Sequence, residues 1–346
     1  MLNTGLVQLY YGVCAGASDS TNYAPFGLAM RACGRNLRTL IIGFSPADYW
    51  IPLKRAASFL APYLVIDCAL VEGLEPDLSP SAERGIEGFR KAEQSLAEGR
   101  FDLIILDGIM RLVVQGIFKA ADILRLMRDK PGHVELVLTG FGADDQIIQQ
   151  ADLVTEMVVR RDPRHVPSSA MIEGRDSIKI VTGNGKGKTT YCLGEAMVAA
   201  CSGSHAFVLQ VIKSPRLYGE IKGIRKIPHL EVRTMGEGFL DHGPAEPGEK
   251  HLQAARSAWA VWLQELYSMK YDLLVLDEIN IATHYGLIPW ERVKEMLLLK
   301  PEHLRLLLSG RDAHPEIIET AETLIEMREV KHPYKKGVKA REGIEF

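Results

Sequence analysis

Residues 101–163 align with residues 271–333 without a gap at a constant offset of 170, and 19 of the 63 paired positions are identical. Upstream, residues 26–44 lie over 193–211 at an offset of 167, so the two registers differ by three residues. Two apolar strands can resemble each other by chance, but they would not hold register through the polar helices between them. The chain is therefore two copies of one unit, and whatever fold one half adopts the other must adopt as well. Its 346 residues are about twice the commonest domain size, and an apolar fraction of 47% is enough to fill two cores.

Each copy reads as a strand, a glycine turn, a helix and another strand. In the second copy SIKIVTG is a short β-branched run, residues 190–202 are alanine-rich and helical, and HAFVLQVI is a second strand. YDLLVLDE then predicts a strand ending in carboxylates, WERVKEMLLL a helix, HLRLLLSG a strand and PEIIETA a helix. Near-continuous apolar strands alternating with helices predict a parallel sheet covered on both faces. The expected fold is thus α/β: two tandem P-loop NTPase-like (RecA-like) domains, each a mostly parallel sheet flanked by helices. Residues 1–165 form the first, 166–177 a linker without a periodic apolar face, and 178–346 the second. Within 245–269, Leu252, Ala255, Trp259, Trp262 and Leu266 recur three or four apart, which predicts an amphipathic helix packed on the core. Stacking of a cofactor on either tryptophan is the alternative.

Forty-one Lys plus Arg against 44 Asp plus Glu leave a formal charge of -3, which argues against a general nucleic-acid coat. RLYGEIKGIRKIPH is a modest positive patch with no RRM, zinc or helix-turn-helix signature, so no nucleic-acid partner is expected. No apolar run approaches the roughly 18–20 residues that span a bilayer, and the N-terminus lacks the basic head and apolar core of a signal peptide. A soluble cytoplasmic protein without a membrane partner is the expectation. The five cysteines, at 14, 33, 68, 192 and 201, never form a CxxC pair, so neither a disulfide framework nor a thiolate zinc site is predicted.

The strongest local signal is TGNGKGKTT, residues 182–190, after a strand and opening a helix. Gly183, Gly185 and Gly187 let the backbone turn tightly so that successive amide hydrogens converge on phosphate oxygens. Lys188 supplies a point charge, Thr189 can hold Mg²⁺, and Asn184, Lys186 and Thr190 complete the loop at a helix N-terminus whose dipole favours an anion. Thr182 stands where the strict GxxxxGK[ST] pattern has glycine. Asp277 and Glu278, closing the strand LLVL, place carboxylates at the edge where they can reach a phosphate-bound Mg²⁺. The first copy has lost this equipment. Its loop is YYGVCAGASDSTN, with Ala17 in the place of Lys188 and Asp19 nearby, and Gly108 follows Asp107 where the second copy has Glu278. One nucleotide site per chain is expected, with the first copy a structural partner or a non-nucleotide binding surface.

TGNGKGKTT, FVLQVIKSPRLYGE (207–220), MGEGF (235–239), LLVLDEI (273–279), LLLSGRDAHPEII (306–318) and VKHPYKKGVKAREGIEF (330–346) together resemble the ATP:corrinoid adenosyltransferases of the cob(I)alamin and cob(I)yrinic acid a,c-diamide type. The resemblance covers residues 178–346, and the terminal string and Gly-Arg pair discriminate it from ordinary kinases and ATPases. It implies transfer of the 5′-deoxyadenosyl group from ATP to a corrinoid in the Co(I) state, with release of tripolyphosphate. It implies Mg²⁺ or Mn²⁺ as the metal, and reduced flavodoxin or another reduced flavin protein as electron donor. In the family the triphosphate lies in the loop in a reversed sense, which brings C5′ to the reaction site. Lys188 and Thr189 would then serve the leaving group, Asp277 and Glu278 the metal shell, and Arg311 would clamp a phosphate or a metal-bound water. A surface ion pair is the alternative for Arg311. Glu220 matches a family glutamate near the nucleotide or corrinoid, and Lys213 lies at the same strand end. Phe239 corresponds to the phenylalanine that helps displace the lower cobalt ligand, but Leu240 and Asp241 follow where the family has Thr-Trp. His242 as an axial ligand would oppose four-coordinate Co(I). Fusion of two copies makes an intramolecular pseudo-dimer, and association of the whole chain into a homodimer stays open. Two other classes stay open too: a P-loop ATPase or kinase on another acceptor, and a non-catalytic corrinoid or nucleotide-binding protein.

Overall fold

The computed structural model describes residues 4–14, 22–44, 48–68, 78–162, 177–214, 219–238, 248–333, 337 and 341–345. The first half runs β1 (Val7–Cys14), α1 (Ala24–Gly34), β2 (Thr39–Gly43), α2 (Trp50–Phe59), β3 (Leu64–Cys68), α3 (Leu78–Glu98), β4 (Leu103–Asp107), α4 (Ile109–Val114), α5 (Ala120–Asp129), β5 (Glu135–Phe141), α6 (Asp145–Gln150) and β6 (Leu153–Arg161). The second repeats the plan as β7 (Ile178–Thr182), α7 (Lys188–Cys201), β8 (Ala206–Gln210), α8 (Gly219–Ile224), β9 (Leu230–Thr234), α9 (Glu249–Leu266), β10 (Leu273–Asp277), α10 (Ile279–His284), α11 (Trp290–Leu299), β11 (Arg305–Ser309), α12 (Pro315–Ile318) and β12 (Thr323–Lys331).

All twelve strands join one sheet in the order β3-β2-β4-β5-β1-β6-β12-β7-β11-β10-β8-β9. The second half of that order mirrors the first. Strands within each half are parallel, and β6 meets β12 antiparallel at the centre, as a two-fold relation between the copies requires. In each half one strand separates the loop-bearing strand from the aspartate-bearing strand: β5 stands between β1 and β4, and β11 between β7 and β10. This agrees with the expected RecA-like class; the order itself was not predicted. The central strands β4 and β10 are buried at every position, in keeping with their unbroken apolar runs.

The duplication does more than place two similar units side by side. One of the three core clusters draws on both halves, joining Tyr10, Phe26 and Met30 to Tyr191, Leu193 and Met197. Its axis is the crossing of α1 and α7. A Cβ added to Gly27 would lie 1.9 Å from the Thr190 carbonyl oxygen, and one added to Gly194 would lie 2.0 Å from that of Tyr23. Gly27 and Gly194 are the same position of the repeat, so each helix presents its glycine to the other's backbone. The other two clusters cover the opposite face of each half, and α9 contributes Ala255, Trp259, Trp262 and Leu266 to the second. That bears out core packing for this helix. No helix among the described residues is long and apolar enough to cross a membrane.

Candidate functional site

The glycine loop follows β7 and is braced from the side by β12. Gly183 has φ 94°, and a Cβ there would lie 2.3 Å from the carbonyl oxygen of Met327. The amide of Gly185 donates to that same oxygen at 2.7 Å, and the amide of Glu329 donates to Asn184 Oδ1 at 3.0 Å. Gly187, at φ 108°, is the N-cap of α7. The Lys188 ammonium donates to the carbonyls of Gly183 and Gly185, each at 2.7 Å, and so sits within the turn of the loop. Burial, aided by the charge of Arg311, lowers its pKa to about 8. Thr190 ties the first turn by donating to the Gly187 carbonyl at 3.0 Å. Lys186 lies 3.5 Å from Glu345 of the C-terminal segment, and burial lowers its pKa as well.

The acidic partner meets this loop. Thr189 Oγ1 donates to Asp277 Oδ1 at 3.0 Å. Asp277, fully buried, also accepts from Ser309 Oγ and, at 2.9 Å, from Gln210 Nε2. These three donors come from α7, β11 and β8, so the aspartate ties together the elements around the loop. Glu278 follows in a left-handed conformation, φ 68°, its amide donating to Ser309 Oγ at 3.1 Å. A non-glycine residue held there costs about 1–2 kcal/mol. Burial, then the adjacent Asp277, pushes the Glu278 carboxyl up to about 7 against the pull of Lys213 and Lys188. Glu278 Oε2, Gln210 Oε1 and Asn280 Oδ1 are buried without a hydrogen-bond donor. Two of these oxygens stand at the ends of the adjacent strands β8 and β10 and the third in the first turn of α10; such buried acceptors suit a cation with its water, since unpaired they cost free energy. Among the described residues no group of three or more His, Cys, Asp or Glu gathers into a self-sufficient metal cluster. Thr189, Asp277 and Glu278 therefore fit a hard ion that takes its remaining ligands from phosphate and water, as Mg²⁺ does.

Arg311 lies just beyond β11, exposed, after Gly310 at φ 131°. Its charge acts on Lys188, so the sequence-predicted Lys188, Thr189, Asp277, Glu278 and Arg311 gather at one end of the sheet. Glu220 is fully buried, with Lys213 Nζ at 2.7 Å and Arg31 Nε at 3.0 Å. Burial alone would raise its carboxyl, but those two cations overcome it and hold the pKa at about 2. Phe239 lies outside the described residues, as do Leu240, Asp241, His242, Ala17 and Asp19. Sequence reasoning did not single out Ser309, Gln210, Asn280 or Arg31. The first two could have been found as the polar residues closing the strands that flank β10.

The first half keeps the frame and fills it. Thr139 Oγ1 donates to Asp107 Oδ1 at 2.7 Å, as Ser309 does to Asp277. The second oxygen differs: Tyr49 Oη donates to Asp107 Oδ2 at 2.8 Å, where Gln210 serves Asp277. Gly43 replaces Gln210 in register, and the space its side chain would take holds the Trp50 ring, 2.2 Å from a built Cβ. Gly108, φ 85°, stands without strain where Glu278 is strained.

A glycine loop capping a helix, a threonine bonded to a buried strand-end aspartate and the intervening β11 define a P-loop nucleotide-binding fold of the RecA-like type, with these features complete in the second half. The chain belongs to the ATP:corrinoid adenosyltransferase family, described as BtuR/CobO/CobP, whose sequence profile matches residues 3–173 and again 174–346. The corrinoid adenosyltransferase of Pseudomonas aeruginosa is 35% identical over 173 residues, covering 50% of this chain and 84% of its own length. The corrinoid adenosyltransferase CobA of Salmonella typhimurium is 35% identical over 175 residues, covering 50% of this chain and 87% of its own. An uncharacterized Nostoc sp. protein is 25% identical over 366 residues and matches 99% of this chain and 95% of its own length.

Proposed function

We propose that the second half transfers the 5′-deoxyadenosyl group of ATP to the Co(I) centre of a corrinoid substrate and releases tripolyphosphate. The observation that carries this reading is the complete phosphate cradle of residues 183–189 facing Asp277, within a chain matched by the adenosyltransferase profile in both halves. In the transfer the cobalt lone pair forms the bond to C5′ of the ribose. The C5′–O bond breaks, and its electron pair leaves on the phosphate oxygen. Because the substrate metal is itself the nucleophile, the protein needs no serine, cysteine or general base. Its task is to hold the two centres in line and to neutralise the leaving phosphates.

Lys188 and Arg311 supply the positive charge for those phosphates, and the first-turn amides of α7 supply donors aimed at the same anion. Bound Mg²⁺ would add charge neutralisation at the phosphate oxygens, held by Thr189 and Asp277 with Glu278 in its surroundings. Gln210 and Ser309 keep Asp277 aimed at Thr189. The first half, with Tyr49 bonded to Asp107 and the Trp50 ring in the place of the Gln210 side chain, binds no triphosphate and serves as the structural partner in an intramolecular pseudo-dimer. A reduced flavodoxin or another reduced flavin protein would supply the electron that makes Co(I).

Anaerobic incubation of the full chain with MgATP and a chemically reduced corrinoid tests this directly. Adenosylated corrinoid and intact tripolyphosphate should appear in equal amounts. ADP and orthophosphate without a cobalt–carbon bond would instead identify an ATPase.

A further inference from the structure

The pseudo-dyad is broken at one buried charge. Arg31 lies on α1 of the first half, only 5% exposed, and its guanidinium is held on two sides. Nε donates to Glu220 Oε2 at 3.0 Å, while one terminal nitrogen donates to the carbonyls of Ile344 and Glu345 at 2.9 and 3.0 Å. The approach that permits this is built from glycine. A Cβ at Gly219 would lie 2.6 Å from the Arg31 carbonyl oxygen, and one at Gly223 would lie 2.4 Å from that of Met30, so α8 rests directly on the α1 backbone. Glu220 follows Gly219 and therefore meets Arg31 in a fixed geometry.

Among the described residues this contact has no counterpart between α7 and α2. Val198 occupies the α7 position that matches Arg31, and the buried face of α2, the counterpart of α8, is Trp50, Pro52, Leu53 and Ala56. At this contact the first half lends a cation to the second; the buried cation that the second half gives the first, Arg341 on Glu135, lies elsewhere, at the start of β5. Past Glu220 the charges continue into the site. Glu220 Oε1 accepts from Lys213 Nζ at 2.7 Å, and Lys213, just beyond the end of β8, acts on Glu278 together with Lys188. A carboxylate shared by two cations in a buried setting fixes both, because moving either leaves charge uncompensated.

We propose that Arg31 is a positioning residue for nucleotide binding: by anchoring Glu220 it holds the Lys213 ammonium toward the polyphosphate, so that the degenerate half completes the other half's site. This rests on the reading of residues 183–189 as the nucleotide cradle, but not on what is transferred. Arg31 itself touches neither Lys213 nor the glycine loop in a recorded hydrogen bond. Its effect on the nucleotide must therefore pass through Glu220.

The test is a double-mutant cycle in the full chain, read as the MgATP dissociation constant by titration calorimetry. Arg31→Met and Lys213→Met should each weaken binding about five- to tenfold, and the double variant should be no weaker than either alone. Arg31→Lys, which keeps a cation beside Glu220, should recover binding to within about threefold of the parent. Arg55→Met supplies the control, because Arg55 bridges the halves only through the Cys201 carbonyl at 3.0 Å, and it should leave affinity within about twofold. Unchanged affinity in Arg31→Met, additive losses in the double variant, or an equal loss in Arg55→Met would each overturn the proposal. Adenosyl transfer by the parent chain is scored separately. A parent that binds MgATP but makes no adenosylcorrinoid refutes the proposed function and leaves this cycle to decide the role of Arg31.

Discussion

Replacing Lys188 with methionine should move the protein in opposite directions with and without nucleotide. The Lys188 ammonium is carried at a pKa of about 8, well below the usual lysine range, chiefly because burial disfavours its charge. The folded chain therefore binds fewer protons at this group than the unfolded chain between about pH 8 and the usual lysine value. Stability rises with pH across that window, and the cost of the buried charge is fully present below about pH 8. Allowing for its partial exposure, that cost is on the order of 1–3 kcal/mol. The substitution removes it together with two donations to the Gly183 and Gly185 carbonyls, whose loss offsets part of the gain. At pH 7 without nucleotide, Lys188→Met should melt at the parent temperature or up to about 3 °C higher. With nucleotide the sign reverses. One lost charge-assisted contact to phosphate is worth about 1.5–3 kcal/mol, so MgATP should bind roughly 10- to 100-fold more weakly. Turnover should drop by about 10²–10³, the scale expected when one donor to a developing anion is removed. Thermal denaturation with and without MgATP, beside an anaerobic adenosylation assay, reads all three. A variant that is destabilised without nucleotide yet keeps the parent's MgATP affinity would refute this account of the lysine.

Glu278→Gly should relieve the left-handed strain at φ 68° and raise the melting temperature by about 1–3 °C while lowering turnover at least tenfold, measured by calorimetry and product assay. MgATP affinity should peak between about pH 7 and 8. Below that range Glu278, whose pKa is about 7, gains a proton and loses its attraction for a metal ion; above it Lys188, at about 8, loses its proton. Isothermal titrations across this range check both limbs, and a flat profile would dissociate these groups from binding. An ATP analogue should saturate at one equivalent per chain, and two equivalents of equal affinity would show that Tyr49 and Trp50 do not close the first half. Gly27→Ala should drive its methyl into the Thr190 carbonyl and destabilise the chain by about 1–3 kcal/mol or more in denaturant unfolding, whereas Gly132→Ala, with nothing within 4 Å and no left-handed φ, should change stability by less than about 1 kcal/mol.

The repeat, the alternating α/β class and the loop were legible because each is a pattern along the chain. Apolar runs such as LLVLD in β10 and LIILD in β4 are buried on both sides and need no partner to be recognised as central strands. Gly183, Gly187, Lys188 and Thr189 announce an anion site through backbone freedom and charge within nine residues. The departure of the first half from the phosphate-loop pattern was partly visible too, in Gly108 after Asp107. What stands beside its aspartate was not. Tyr49 reaches Asp107 across 58 residues, and Trp50 fills the space that Gly43 leaves. Nothing in the local sequence around an ordinary Tyr-Trp pair marks it as the group that takes the place of Gln210 beside a strand-end aspartate.

Sequence alone determined that this chain is a duplicated α/β protein whose second copy carries a glycine loop with a lysine-threonine pair, because strand burial, glycine turns and such a pair act over a few residues. Tertiary structure decided that the copies share one twelve-stranded sheet, joined by the β6–β12 pairing and by Gly27 against Gly194. It also decided that Arg31, 189 residues away along the chain, neutralises Glu220. Interactions of that separation depend on where folding brings two backbones into contact, and a charge buried at such a contact has no signature until its partner is known.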